Sequence, residues 1–284
     1  MIKRSIFFGA VAAILSLGVS VIGTPAHASE GGGLDMRPPR LSWSFGGPFG
    51  TYDTAQLQRG FKVFREVCAS CHSANFIFFR NLAQPGGPAF SEAQAKAVAA
   101  EYQITDGPND QGEMFQRPGR LSDHWPPPFP NDQAARAANG GALPPDFSVL
   151  AKARSYHVGF PGFILDAFTQ YQEHGVDYIH ALLVGYVEPP EGVHGQPGLQ
   201  YNRYFPGNWI AMPRPLSDGQ VEYTDGTPAT VDQYARDVSA FMMWMAEPHL
   251  DTRKRIGFQV MIFLVVFAGL LYFTKKKIWK DVSH

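Results

Sequence analysis

Two cysteines and a histidine form the pattern in this chain with the clearest chemistry. Cys68, Cys71 and His72 follow the order Cys-X-X-Cys-His, and the chain contains two cysteines in all. In this pattern two thioether bonds fasten a haem, and the histidine that follows reaches its iron as an axial ligand. A thioredoxin-type redox pair would need a βαβ setting, and a zinc site would need further ligands at matching spacing. The spacing therefore predicts one covalently attached haem c.

The ligand in the second axial position of such an iron decides between electron transfer and chemistry on a small molecule. A methionine sulfur in that position suits electron transfer. Met212 stands between Pro206-Gly207 and Pro213, which would hold the backbone stiff where a ligand must cross a haem face. The alternative for Met212 is a loop methionine packed against aromatic rings. Three other methionines fall on one predicted helix and favour core packing: Met242, Met243 and Met245.

The apolar spacing predicts a helix that leads directly into the cysteines. Leu57, Phe61, Phe64 and Cys68 lie on one face of it, and Asp53 or Thr54 can cap its start. Further helices are predicted over residues 91–103, 131–139, 146–154 and 176–184, and from Thr230 to just before Pro248. Pro-rich residues 117–130 should lack regular structure, and residues 221–226 could form a small hairpin. We expect a mainly α, cytochrome c-like haem domain with long Gly/Pro-rich loops.

Two apolar segments predict how the chain is placed in a membrane. Residues 1–28 have the layout of a cleaved signal peptide, with Lys3 and Arg4 before an apolar run and Ala26-His27-Ala28 at its end. Residues 256–274 carry no charge and are long enough for one membrane span of about 28 Å. We therefore expect a periplasmic haem domain at residues 29–252. Residues 253–284 would be a transmembrane anchor with a short cytoplasmic tail, in a bacterial inner membrane.

The formal net charge of −1 conceals an uneven distribution. Residues 29–252 hold 15 Lys and Arg against 24 Asp and Glu, a net charge of −9. An acidic domain favours encounter with a basic partner, although the same charge also serves ordinary solubility. The charge alone leaves both interpretations open.

Several short strings, in one order along the mature chain, resemble the cytochrome c1 family, the haem subunits of cytochrome bc1 complexes of the bacterial type. These strings are Arg59-Gly60-Phe61-Lys62-Val63, Gly112-Glu113-Met114-Phe115, Arg117-Pro118-Gly119, Leu143-Pro144-Pro145-Asp146, Tyr204-Phe205-Pro206-Gly207, Asp225-Gly226-Thr227-Pro228 and Ala246-Glu247-Pro248. The resemblance implies His72 and Met212 as the axial ligands. It further implies that Arg154 and Tyr178, with Asn139 as a weaker candidate, lie near the haem propionates. The stretch 155–175 is longer than in the mitochondrial members of the family.

The resemblance also implies a function in electron transfer. One electron would pass from a Rieske iron–sulfur protein, through the haem, to a basic c-type cytochrome, with cytochrome b as a further partner. The chain would be a relay subunit of a quinol–cytochrome c reductase and would break no substrate bond itself. Two alternatives stay open: a free-standing, membrane-tethered electron carrier, and a haem enzyme with a distal acid or base. The candidate distal groups are His124, His157, His174, His180, His194 and His249.

Overall fold

A computed structural model describes residues 37–156 and 158–282 of the chain. The signal peptide predicted over residues 1–28 lies outside them. The described part is mainly helical, which confirms the predicted fold class. Its helices are α1 (Thr54–Glu66), α2 (Glu92–Ala100), α3 (Asp132–Ala138), α4 (Leu150–Ala153), α5 (Gly162–Thr169), α6 (His174–Val184), α7 (Val231–Ala246) and α8 (Leu250–Ile278).

The strands of the described part are short and form two antiparallel pairs. In the first pair, β1 (Gln103–Asp106) lies against β2 (Phe115–Pro118). In the second, β3 (Gln200–Tyr201) lies against β4 (Trp209–Ile210). Two 3₁₀ segments, Cys68–Ser70 and Phe79–Ala83, complete the regular structure. Long Gly- and Pro-rich connections join these elements, as the composition predicts.

The crossing of α1 and α7 forms the centre of the core. Phe61 and Phe64 of α1 are buried, and their ring centroids lie 5.7 and 5.6 Å from that of Phe241 on α7. The helices approach closely because Gly60 has no side chain: a Cβ at this position would lie 2.1 Å from the carbonyl oxygen of Asp237. This contact fixes the helix that leads into the Cys-X-X-Cys-His motif.

Side-chain caps start three helices where the sequence predicts them. The Asp53 carboxylate accepts two backbone N–H groups at the start of α1. Ser91 and Gln94 form the predicted capping box of α2, and the Thr230 hydroxyl caps α7. Each cap satisfies an N–H group that has no partner inside the helix.

Two predictions of local structure are wrong. Residues 221–226 form no hairpin, because the buried Tyr234 hydroxyl takes both backbone groups of Val221: it accepts from the amide at 3.0 Å and donates to the carbonyl at 2.5 Å. Residues 117–130 are not wholly irregular, because β2 extends to Pro118. Arg117 holds that strand by pairing with Asp106 of β1 and with Asp123, at 2.6 Å from the latter.

The long helix α8 contains the predicted span and extends beyond both of its ends. It is long and apolar enough to cross a membrane. Its first turn belongs to the packed domain: Leu250 is buried, and the Lys254 ammonium donates to the Phe45 and Gly50 carbonyls at 2.5 and 3.2 Å. The basic residues before and after the apolar run therefore belong to the same helix.

Candidate haem-binding site

A tight turn at the end of α1 presents the Cys-X-X-Cys-His motif. The amides of Cys71 and His72 both donate to the Cys68 carbonyl, at 3.1 and 2.9 Å. Neither cysteine forms a disulfide, and both side chains are half-buried. Because α1 is fixed in the core by its contact with α7, the turn holds two thiols and an imidazole within five residues in a defined position.

The surroundings of Cys68 do not favour dithiol redox chemistry. Burial raises the pKa of its thiol to about 12, and the neighbouring Cys71 raises it further. Thiol–disulfide exchange requires a thiolate, and redox-active Cys-X-X-Cys pairs have one thiol with a lowered pKa. The surroundings of Cys68 therefore give the thioredoxin-type alternative no support.

His72 is oriented as a metal ligand is. Its ring is buried, and Nδ1 lies 2.8 Å from the carbonyl oxygen of Pro145. Since a carbonyl can only accept, Nδ1 carries the proton and Nε2 keeps its lone pair. The ring also packs on Phe147, with 4.2 Å between centroids and 30° between planes. Burial lowers the pKa of His72 and so favours the neutral imidazole that can bind iron.

The segment that holds His72 is itself tied to the motif. Asp146, predicted to cap a helix, does not cap α4. Its carboxylate instead accepts from the Ser73 hydroxyl at 2.7 Å and from the Asn75 and Ser148 amides at 2.9 and 2.8 Å. The Phe147 amide donates to the Ser73 carbonyl at 2.8 Å. These hydrogen bonds hold the segment around Pro145, whose carbonyl oxygen orients the His72 imidazole, against the residues that follow His72.

Pro145 and Phe147 are site residues that sequence reasoning did not identify. Pro145 lies 73 positions from His72, so no local spacing connects them. The string Leu143-Pro144-Pro145-Asp146 was available as a signal, but its role becomes visible only when the chain is folded.

Met212 lies in the loop after β4 and is half-buried. Its backbone carbonyl accepts a hydrogen bond from the Tyr186 hydroxyl at 3.1 Å. Burial raises the pKa of Tyr186, and the nearby Tyr178 raises it further. The structure therefore brings Tyr178, Tyr186 and the Met212 loop into one neighbourhood.

Arg154 lies near this neighbourhood. Burial raises the pKa of Tyr178, and the positive charge of Arg154 opposes that rise. Arg154 is exposed at the C-terminal end of α4, and its guanidinium has no hydrogen bond or ion pair to any described residue. The backbones of α4, which precedes Arg154, and α6, which contains Tyr178, approach closely. A Cβ at Gly175 of α6 would lie 1.8 Å from the Ala151 carbonyl oxygen of α4. Arg154 is thus free to bind an anionic group.

Asn139 is less suited to a binding role. It caps the C-terminal end of α3, and its side-chain amide donates to the Ala135 carbonyl of the same helix at 2.7 Å. No described contact joins Asn139 to His72, to Tyr178 or to the Met212 loop. Its place near a propionate stays a prediction.

Three of the candidate distal histidines already have partners. His124 stacks on Phe78, with 3.7 Å between centroids. Nε2 of His174 lies 2.8 Å from Asp166, and Nε2 of His180 lies 3.0 Å from Asp232. His157 lies outside the described residues. These contacts give the three histidines structural partners. His194 and His249 are exposed, and no described contact joins any of these five histidines to His72.

Comparison with known proteins agrees with the site. Residues 43–282 match the model of the Cytochrome C1 family. A Bradyrhizobium diazoefficiens protein named cytochrome b/c1 is 60% identical over 96% of this chain, which spans only 39% of that protein's length. Cytochrome c1 of Blastochloris viridis is 50% identical, over 95% of this chain and 94% of its own. A mitochondrial cytochrome c1 of Solanum tuberosum, named a heme protein, is 44% identical over 89% of this chain. The turn that holds two thiols beside a supported imidazole, together with matches along almost the whole described chain, makes the protein a member of the cytochrome c1 family.

Proposed function

We propose that the chain is the electron-relay subunit of a quinol–cytochrome c reductase of the bc1 type. It receives one electron from a Rieske iron–sulfur protein and passes it to a c-type cytochrome, and it breaks no substrate bond. The observation that carries the proposal is the His72 imidazole, whose Nδ1 is held by Pro145 while Nε2 is left for a metal. Membership of the cytochrome c1 family supports the same conclusion.

The residues of the site fit one covalently attached haem c. Cys68 and Cys71 supply the two thiols for thioether bonds, and His72 supplies one axial ligand. Met212 supplies the other, in a loop restrained by the Tyr186 hydroxyl. Bound there, haem supplies an iron centre that exchanges one electron. With His72 and Met212 both holding the iron, the bound haem would have no position left for a substrate.

Arg154 and Tyr178 are the proposed partners of the haem propionates. A propionate near a protein interior needs donors, and an arginine supplies a charge-assisted hydrogen bond. The Arg154 guanidinium, which pairs with no described residue, lies close enough to the buried Tyr178 to act on its pKa, and the two side chains together meet that need. Asn139 remains a weaker candidate, because one of its amide N–H groups is used within α3.

Cytochrome b and the Rieske protein are the proposed partners within the membrane complex. The name of the Bradyrhizobium relative joins cytochromes b and c1, and this agrees with such an association. We propose that residues 1–28 direct export, that residues 29–252 form the periplasmic haem domain, and that residues 253–284 anchor it in the bacterial inner membrane. The net charge of −9 on residues 29–252 would attract a basic acceptor cytochrome.

The test of the site compares Met212→Leu with Met114→Leu in the purified full chain. Met114 is exposed and serves as the matched control. We expect Met212→Leu alone to lose the sixth-ligand signature in optical and magnetic spectra and to bind carbon monoxide in the ferrous form. An unchanged signature in Met212→Leu would move the ligand to another residue. Colour removed by acid–acetone extraction would refute covalent attachment through Cys68 and Cys71.

A free-standing carrier is the second candidate function, since the tethering helix α8 would serve it equally well. Extraction in mild detergent followed by size-exclusion chromatography separates the two functions. A complex subunit elutes together with cytochrome b and an iron–sulfur protein, whereas a carrier elutes alone.

A further inference from the structure

Helix α5, within residues 155–175, has its polar side inside and its apolar side outside. Its one buried residue is Asp166. Three large apolar side chains point outward, with Phe163 57%, Leu165 60% and Phe168 83% exposed, and the preceding Phe160 is 80% exposed. Single exposed apolar residues are common, but four large ones within positions 160–168 mark a surface that meets something apolar.

The buried contacts of Asp166 prevent the helix from rolling over. Its carboxylate lies 2.6 Å from the Arg40 guanidinium and 2.8 Å from Nε2 of His174. Both of these partners lie outside α5. Turning the phenylalanines inward would break both of these contacts and expose the buried Asp166 and His174. These two contacts therefore set which side of α5 faces the domain and leave its large apolar side chains outside.

The end of α5 adjoins the start of the helix long enough to span a membrane. Gln170, which follows α5, lines a cleft of about 320 Å³ whose opposite wall includes Arg253, Gly257 and Met261 of α8. Phe49 lines the same cleft. The C-terminal end of α5 therefore lies beside the segment where α8 changes from basic to apolar.

Aromatic and basic residues lie near the start of the uncharged run of α8. Phe49 is 71% exposed, and its ring meets Phe258 of α8 edge-on, with 5.4 Å between centroids. Arg253, Lys254 and Arg255 precede the uncharged run of α8. Arg253 pairs with Glu247 and Lys254 donates to the two carbonyls named above, whereas Arg255 is exposed. Aromatic side chains at a membrane surface, beside basic residues that attract anionic headgroups, are typical of helices that lie in the plane of the interface.

We propose that α5 lies on the lipid bilayer, with Phe160, Phe163 and Phe168 in the headgroup region and next to the entry of α8. The occupant of the exposed face is lipid rather than a second protein, because the end of α5 shares a cleft with the start of the apolar run of α8 and with its basic flank. Residues 155–175 thus give the domain a second attachment to the membrane, beside the helix that spans it.

The test measures the depth of α5 in a bilayer. Phe163→Cys and Phe168→Cys are spin-labelled in the full haem-loaded chain and reconstituted in vesicles of phosphatidylcholine and phosphatidylglycerol. Asp110→Cys, in the exposed turn between β1 and β2, is the matched control. We expect collisions with oxygen to exceed those with a water-soluble nickel complex at 163 and 168, and the reverse at 110. Greater access to nickel at 163 and 168 would overturn the proposal. A label that is immobilised and shielded from both reagents would overturn it too, in favour of a contact with a second copy.

Selective labelling rests on the proposed function, because it requires both native cysteines to be in thioether bonds. The unmutated chain tests this condition separately: if it takes up label, covalent haem attachment fails and the depth of α5 is decided by Phe168→Trp. We expect the emission that this tryptophan adds to be quenched by lipids brominated near the headgroup. Emission that such lipids leave unchanged would refute the lipid contact.

Discussion

The contact between α1 and α7 predicts that Gly60→Ala destabilises the whole domain. The added Cβ would lie 2.1 Å from the Asp237 carbonyl oxygen and 2.7 Å from the Phe241 Cβ. Neither atom is the end of a flexible side chain, so the methyl group can be accommodated only if the two helices move apart. Such separation would loosen the packing of Phe61 and Phe64 against α7 and displace the turn that carries the cysteines.

The size of the effect follows from two opposing contributions. Overpacking a core costs about 1–3 kcal/mol, and backbone obstruction favours the upper end of that range. Alanine is better than glycine inside a helix by about 0.5–1 kcal/mol, which offsets part of the cost. We expect a net loss near 2 kcal/mol, which for a domain of this size lowers Tm by about 4–8 °C.

The assay is thermal unfolding of the purified full chain in detergent, followed by circular dichroism at one fixed scan rate. Gly195→Ala is the matched control, because a Cβ at position 195 would meet no atom within 4 Å. We expect that variant to unfold within about 2 °C of the parent, since substitutions at open surface sites change stability by less than about 0.5 kcal/mol. Equal Tm values for Gly60→Ala and the parent would refute the close approach of α1 and α7.

Two further predictions concern single interactions. Tyr186→Phe removes the hydrogen bond to the Met212 carbonyl and should cost about 0.5–1.5 kcal/mol of stability. The sixth-ligand signature should therefore be lost at a lower temperature than in the parent. If the signature melts at the same temperature in both, Tyr186 does not restrain the loop. The Arg117 hydrogen bonds lower the pKa of Asp123 to about 2, so this carboxylate stabilises the fold above the unfolded pKa near 3.8 and loses that contribution as the pH falls toward 2. Unfolding midpoints measured between pH 5 and about 2 should therefore fall less steeply in Asp123→Asn than in the parent, and parallel curves would contradict this.

The features that could be predicted from the sequence depend on neighbours a few positions away. The turn at Cys68, Cys71 and His72 needs only local hydrogen bonds, and the caps at Asp53 and Thr230 act on the next turn of their own helices. Short-range spacing contains all the information that these features require. The main helices and the position of the cysteines at the end of α1 were accordingly predicted correctly.

The features that escaped prediction depend on distant residues. Pro145 and Phe147 reach His72 across more than seventy positions, and Tyr234 removes the predicted hairpin at Val221 from within another helix. Helix α5 was missed for a different reason. Its large apolar residues face outward and its aspartate faces inward. Prediction from the sequence assumes the opposite, with the apolar face of a helix in the core and the polar face in solvent.

The rigid junction between α7 and α8 has a consequence for how electrons reach and leave the proposed haem. α8 begins four residues after α7 ends, and Leu250, Tyr52 and Lys254 bond or pack its first turn into the domain. The described junction therefore offers no hinge about which the domain could swing on α8. If the chain is the proposed relay, its donor and acceptor would have to come to a stationary haem, and turnover would depend on the mobility of those partners rather than on motion at this junction.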